Sequence, residues 1–181
     1  DDVKWVISHG ADVNKPSYEF EEAPLLTAVG TENKEFILEV IPLLLDAGAR
    51  INATTPTGLD GCYIAGETAL SFSFDWFRYD RAEDAERGLA YVSLLLRRGA
   101  KLDGCWGGRS AEDCLRHIED PSLFFDEDPY AVANPEAVHH ESFIALKALV
   151  ADARRRKLRA PAKAALTFRT LALRGRAAPA D

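Results

Sequence analysis

Apolar and polar positions along the chain repeat one helix-ending pattern three times. In each copy a short aliphatic run is followed by polar residues, a glycine, an alanine and then an Asn or Asp. The copies run from Val6 to Asn14, from Leu43 to Asn52 and from Leu94 to Asp103. A glycine directly after an apolar helical stretch favours the left-handed conformation that ends a helix. The pattern therefore predicts three helix ends, each followed by a tight turn.

Signals for the start of another helix follow each of these turns. They lie at Ala23-Pro24, Glu67-Thr68 and Arg109-Ser110. The hydroxyl groups of Thr68 and Ser110 can cap a helix, and a proline such as Pro24 is favoured in a first helical turn. Each repeated unit is therefore predicted to contain a hairpin turn, a short helix, a loop and a second helix.

Two further helices are predicted in the last third of the chain. The first follows Pro135 and runs from Glu136 to about Leu158, and the second runs from about Ala162 to Leu173. The apolar positions of the first are suited to packing on one side. They are Val138, Phe143, Leu146, Leu149 and Val150.

The two signals together resemble the ankyrin repeat, whose consensus joins a T-P-L-H-x-A helix start to a later L-L-L-x-x-G-A-x-x-N helix end. The resemblance covers about residues 3–118 and extends towards residue 158. It implies an all-α fold, as a helical-repeat solenoid of three to four irregular units with a C-terminal helical cap. At the position of the consensus His, this chain is expected to carry Leu26, Ser71 and Glu112.

The spacing of the glycines departs from the usual period of about 33 residues. Gly10 and Gly48 are 38 positions apart, and Gly48 and Gly99 are 51 apart. We therefore expect an array over residues 1–158, followed by a basic helix and tail over residues 159–181. Insertions are expected at about 53–66, 74–87 and 119–135, the second of them in the loop between two helices of one unit.

The first unit begins inside its second helix, because no helix-start signal precedes Val6. The array is therefore expected to be part of a longer one. We also expect Trp5 and Val6 to be exposed.

The charge is distributed unevenly along the 181 residues. The net charge is -7, but residues 1–152 carry 13 basic and 28 acidic side chains, whereas residues 153–180 carry nine basic and no acidic ones. The acidic body is expected to repel nucleic acid and anionic lipid, so that only the basic segment can attract them.

The cysteine count and the hydropathy pattern bear on the cellular compartment. Three cysteines without a framework spacing indicate reduced thiols, and therefore an intracellular and cytoplasmic protein. No apolar run approaches the roughly 20 residues that cross a bilayer.

Two short motifs match fragments of metal sites. Cys114 and His117 have the spacing of half a zinc site, but a structural zinc needs a second pair of ligands. Glu136 and His139 match one element of a di-iron site, which needs two such elements. Glycine-rich 104–108 is expected to be a finger tip, since no lysine follows it as in a phosphate-binding loop. We predict no catalytic residue, metal or cofactor.

The resemblance implies a non-catalytic protein–protein interaction module or scaffold, which binds its partner through hairpin fingers and inner helices on a concave face. The acidic body favours a partner with a basic patch. Large aromatic side chains are frequent anchors of such interfaces, although those at 72–79 can equally fill a small core of their own. The expected partner-binding residues are Tyr18, Glu19, Phe20, Val29, Tyr63, Phe72, Trp76 and Trp106.

The basic run at 154–159 admits three interpretations. It can bind the acidic body of its own or a neighbouring chain, contact nucleic acid or anionic lipid, or form a solvated helix face. The second interpretation gives the alternative function, a nucleic-acid or membrane-surface adaptor that acts through residues 153–176.

Overall fold

A computed structural model describes residues 2–17, 22–31, 33–55, 66–77, 82–105, 107–120 and 141–157. These residues contain seven α-helices and no strand, which confirms the all-α prediction. The helices are α1 (Asp2–Ser8), α2 (Pro24–Val29), α3 (Lys34–Asp46), α4 (Ala69–Asp75), α5 (Ala82–Arg97), α6 (Ala111–Glu119) and α7 (residues 141–157). None of these helices is long and apolar enough to cross a membrane. The predicted helix from Ala162 to Leu173 and most of the insertion at 119–135 lie outside the described residues.

Three glycine turns, centred on Gly10, Gly48 and Gly99, end α1, α3 and α5 in the same way. The three φ angles are +86°, +93° and +93°. In each turn the alanine after the glycine donates its N–H to the carbonyl five residues earlier, over 2.9–3.1 Å. This is the hydrogen bond of a Schellman motif, and it satisfies a carbonyl that the helix end leaves without a partner. The three predicted helix ends are confirmed.

An asparagine side chain ties each of the first two glycine turns to the next one. Asn14 Nδ2 donates to the Gly48 carbonyl at 3.0 Å, and Asn14 Oδ1 accepts from the Arg50 N–H at 2.8 Å. Asn52 Oδ1 accepts from the Lys101 N–H at 2.8 Å. Asn14 and Asn52 each lie four residues after a turn glycine, so the same position makes the same kind of link twice.

Reciprocal capping boxes begin α4 and α6. Thr68 Oγ1 accepts from the Ser71 N–H at 3.3 Å, and Ser110 Oγ accepts from the Asp113 N–H at 3.2 Å. Ser71 and Asp113 in turn accept from the backbone N–H of the capping residue. These pairs place Asp113 at the position of Ser71, so the assignment of Glu112 to that position was wrong by one residue.

Helix α4 lies at the centre of the described fold. It contacts α2 on one side and α6 on another, while α3 packs against α2 and α5 packs against α4. The core between these helices is continuous and includes Leu26, Ile41, Leu70, Tyr91 and Leu95. Helix α7 adds three buried apolar residues to this core, Phe143, Leu146 and Val150.

The insertion at 74–87 differs from the expected loop. Helix α4 continues to Asp75 and α5 already begins at Ala82, so most of the added residues extend the two helices. The start of α5 is rich in Ala, Glu and Arg, which have high helix propensity. Glu83 and Asp84 also lie in its first turn, where acidic side chains stabilise the positive end of the helix dipole.

Gly88 allows α5 to approach the end of α4 closely. A Cβ atom at this position would lie 2.6 Å from Phe77 Cε2, 2.9 Å from Trp76 Cβ and 3.0 Å from the Ser73 carbonyl oxygen. Real Cβ atoms do not approach other atoms this closely, so a side chain would force the two helices apart.

We expect Gly88→Ala to lower the free energy of unfolding by about 2 kcal/mol, because overpacking outweighs the roughly 1 kcal/mol by which alanine favours a helix. Urea denaturation followed by circular dichroism measures the change. Glu86→Ala, at an exposed position of the same helix, is the control and is expected to change stability by less than about 0.5 kcal/mol. A stabilised Gly88→Ala variant would contradict the close approach.

We expect Asn14→Asp and Asn52→Asp to behave differently. Asn14 uses both its amide nitrogen and its amide oxygen. An Asp at this position would place a carboxylate oxygen against the Gly48 carbonyl, so stability should fall by about 1 kcal/mol. Asn52 makes its link through the oxygen, which Asp retains, so the loss there is expected to be below about 0.5 kcal/mol. Equal losses in thermal unfolding would show that the two links are not used as described.

Candidate partner-binding face

Three hairpin bases precede the inner helices α2, α4 and α6. A backbone hydrogen bond closes each of them: from Ser17 N–H to Glu22 O at 2.9 Å, from Thr55 N–H to Glu67 O at 2.8 Å, and from Cys105 N–H to Arg109 O at 2.8 Å. We call these the first, second and third finger bases. Glu22, Glu67 and Arg109 thereby occupy equivalent positions, immediately before the capping residue of each helix.

The second and third finger bases are joined to each other. The Thr68 N–H donates to the Cys105 carbonyl at 3.0 Å, and the Gly107 N–H donates to the Gly66 carbonyl at 3.4 Å. Ser71 Oγ lies 2.7 Å from the Cys105 carbonyl oxygen and 2.9 Å from the Thr68 carbonyl oxygen, and it can donate to one of them at a time. Ser71 therefore supplies a polar contact to the next finger from the position at which the ankyrin consensus has its His.

Five of the expected partner-binding residues lie outside the described residues, and two of the other three are buried. Val29 is 0% exposed and Trp76 is 9% exposed. Trp76 Nε1 donates to the Val29 carbonyl at 3.3 Å, and the Trp76 ring meets the Tyr91 ring edge-on at 6.4 Å. Val29 and Trp76 therefore belong to the core, which corrects their assignment to a binding face. The undescribed ones are Tyr18, Glu19, Phe20, Tyr63 and Trp106.

Phe72 remains partly exposed on α4. It lies four residues after the capping residue Thr68, and Thr27 holds the same position relative to Ala23 on α2. Thr27 is exposed, and α2 and α4 are in contact. We define the candidate face as Thr27, Phe72 and the three finger bases.

Glu22 lies in the first finger base, and the sequence analysis did not single it out. It is 5% exposed, and burial raises the pKa of its carboxyl group. Its Oε1 atom has no hydrogen-bond partner among the described residues. The signal available in the sequence was its position directly before a helix start, where Glu67 is also found and is also buried.

The last helix is held against α6 by ion pairs. The Arg154 guanidinium donates to both Glu112 carboxylate oxygens, at 2.8 and 2.6 Å, and to Asp103 Oδ1 at 2.6 Å. Lys157 also binds Asp103, and Lys147 binds Glu119. These contacts hold the pKa values of Glu112 and Asp103 below their usual ranges, through Arg154 for Glu112 and through Lys157 and then Arg154 for Asp103.

Arg154 and Lys157 bind acidic residues of their own chain, as in the first of the three interpretations of the basic run. Arg155 and Arg156 pair with Asp152 on the same helix. Asp103 is also the residue four positions after Gly99, where the two earlier turns carry Asn14 and Asn52. Arg154 of α7 therefore binds the third turn at Asp103. The first two turns use the same position, occupied by asparagine, to bind the turn that follows.

The two described cysteines, Cys105 and Cys114, are buried. Burial, followed by the neighbouring Asp103 and Glu112, raises the pKa of the Cys105 thiol to about 12, which disfavours the reactive thiolate. Cys114 and His117 are buried on α6. In the described part of the chain, no three His, Cys, Asp or Glu side chains come together in a way that could hold a metal ion.

Comparison with models of known protein families finds no match, and comparison with curated proteins finds none either.

We expect Arg154→Gln to lower stability by about 1 kcal/mol at neutral pH, because the partly buried Glu112 carboxylate loses a charged donor that binds both of its oxygens. A carboxyl group with a lowered pKa in the folded state stabilises the fold above its unfolded pKa. That contribution is lost as the pH falls through the folded pKa. The difference between wild type and variant should therefore be full above about pH 4.5, the ordinary value for Glu112, and shrink below it.

Urea denaturation of both proteins at several pH values measures this difference. Arg155→Gln is the matched control, since Arg155 lies 3.9 Å from Asp152 within its own helix, and it is expected to change stability by less than about 0.5 kcal/mol. A difference that does not depend on pH would show that Arg154 acts by packing alone.

Proposed function

We propose that the chain is an ankyrin-type repeat array that binds a protein partner through the candidate face and carries out no catalysis itself. The observation that carries the proposal is the equal geometry of the three glycine turns together with the asparagine links between them. Stacked units of this kind contact mainly their neighbours and build an extended binding surface.

The arrangement of the inner helices supports the same proposal. Helices α2, α4 and α6 each follow a finger base, and α4 contacts both of the others. A row of short helices with hairpins at one end presents side chains from several units to one partner. Thr27 and Phe72 are the described helix residues available for this contact.

The array is proposed to extend over residues 1–158, with α7 as part of the closing unit. Helix α7 buries Phe143, Leu146 and Val150, and the Phe143 and Phe77 rings meet edge-on at 6.2 Å. Its ion pairs with Asp103, Glu112 and Glu119 cover acidic groups at this end of the described fold.

The alternative function, binding of nucleic acid or an anionic membrane surface, draws on the excess of basic residues after residue 153. The contacts of Arg154 and Lys157 favour the first proposal, because these two cations already bind carboxylates of their own chain. The basic side chains after them in the sequence are Arg159, Lys163, Arg169, Arg174 and Arg176.

We expect Thr27→Trp to weaken the binding of a protein ligand to the candidate face by at least about tenfold, because a bulky side chain would stand on the contact surface. The ligands are peptides selected on the wild-type protein from a phage-displayed random library, and titration calorimetry measures their affinity. Ala148→Trp, the same kind of change at an exposed position of α7, is the control and should leave affinity unchanged.

Selected peptides that bind wild type and Thr27→Trp equally would contradict the proposed face. The alternative is tested on the full chain with the five basic residues after Lys157 changed to Gln. Binding of single-stranded DNA or of vesicles containing phosphatidylserine, abolished by those changes, would favour the adaptor function instead.

A further inference from the structure

The third glycine turn continues into an Asp-Gly pair, Asp103 and Gly104. No other aspartate in the described part of the chain precedes a glycine. In such a pair the backbone nitrogen of the glycine can attack the carboxyl carbon of the aspartate side chain. Glycine favours this reaction, because it has no Cβ atom to hinder the approach and its backbone adopts many conformations.

The surroundings of the attacking nitrogen are open. Gly104 has a φ of +74°, and a Cβ atom built on it would meet no atom within 4 Å apart from its chain neighbours. The Gly104 N–H donates to no atom of the described residues. The side chain of Asp103 is 55% exposed. Neither crowding nor a hydrogen bond therefore holds the nitrogen away from the carboxyl group.

The carboxyl group, in contrast, is held by two cations of α7. Asp103 Oδ1 accepts from Arg154 Nη1 at 2.6 Å, and Oδ2 binds Lys157. Lys157 and then Arg154 hold the pKa of Asp103 below its usual range, because both favour the ionised form. An ionised carboxylate resists attack by nitrogen, whereas the neutral acid can lose its OH group as water.

We propose that Asp103 is a site of spontaneous aspartate isomerisation, and that α7 protects it through the two ion pairs. When α7 leaves, the Gly104 nitrogen bonds to Asp103 Cγ, and the acid OH departs as water with the amide hydrogen. Water then opens the succinimide ring. Attack at Cγ restores aspartate, whereas attack at the backbone carbonyl gives isoaspartate, in which the chain runs through Cγ and the α-carboxylate is free.

The product would change the joint between α7 and the third turn. Isoaspartate adds one carbon to the backbone and moves the carboxylate, so the contacts with Arg154 and Lys157 would not re-form as they are. The modification would thus record that α7 had separated from the turn. This chemistry is independent of the proposed partner binding.

The test follows isoaspartate formation in the full chain during several weeks at neutral pH. Trypsin releases residues 102–109 as one peptide, and liquid chromatography with fragmentation in a mass spectrometer separates its Asp and isoAsp forms. Lys157→Gln removes one cation from Asp103 and leaves the contact between Arg154 and Glu112, so the rate should rise by at least about threefold. Arg154→Gln also removes that contact and should raise the rate further.

Arg155→Gln is the matched control and should leave the rate unchanged, since Arg155 lies 3.9 Å from Asp152 within α7. The chain also contains an internal reference, because residues 59–62 and 102–105 have the same sequence, Leu-Asp-Gly-Cys. The rate at Asp60 should be the same in all of these proteins.

A second measurement needs no variant. In denaturing urea the rates at Asp60 and Asp103 should become equal, and the rate at Asp103 should exceed its value in the folded wild type by at least about tenfold. Equal rates at Asp103 in wild type, Lys157→Gln and Arg154→Gln would overturn the proposal. A parallel increase at Asp60 in the variants, or no gain at Asp103 in urea, would overturn it as well.

Discussion

The links between successive glycine turns determine how the rest of this structure is arranged. Each of the three turns ends a helix with the same hydrogen bond. In the first two turns, an asparagine four residues after the glycine then binds the backbone of the next turn. A glycine in the left-handed region fixes the direction in which the chain leaves each helix. The finger bases and the helices α2, α4 and α6 follow one another in the same order as the turns, and α4 contacts both α2 and α6.

The candidate face is a consequence of the same order. The pre-helix positions fall on successive finger bases, and this equivalence gives the buried Glu22 and Glu67 their common setting. The core lies behind the face and includes some of the largest aromatic side chains. Trp76 illustrates this, since its ring packs against Tyr91 and lies under Arg87, whose guanidinium carbon is 4.8 Å from the ring centre.

Features determined by local chemistry could be predicted from the sequence. The turn glycines, the capping residues Thr68 and Ser110 and the proline that begins α2 act within a few residues of themselves, and all were located correctly. The exposure of Trp5, at 61%, and of Val6 was also predicted. The first unit was expected to begin inside its second helix, which leaves these two side chains without an inner helix of the same unit to pack against.

Features determined by long-range packing could not be predicted in the same way. The burial of Val29 and Trp76 depends on a contact between residues 47 positions apart, and the pairing of Arg154 with Glu112 joins residues 42 positions apart. The residues that begin α5 were predicted to form a loop because they exceed the usual ankyrin-repeat period of about 33 residues, although their composition favours a helix. Glu22 carried no signal beyond its position directly before a helix start, and its burial depends on packing that the sequence does not reveal.

The asparagine links also bear on how such a chain can diversify. Asn14 and Asn52 bind backbone groups of the following turn, so the side chains of Arg50 and Lys101 take no part in those hydrogen bonds. The links bridge stretches of different length, since 38 residues separate the first two turn glycines and 51 separate the second pair. A contact of this kind depends neither on the neighbouring side chain nor on the number of residues between the turns. Stretches of different length can therefore be accommodated between turns that keep the same hydrogen bonds.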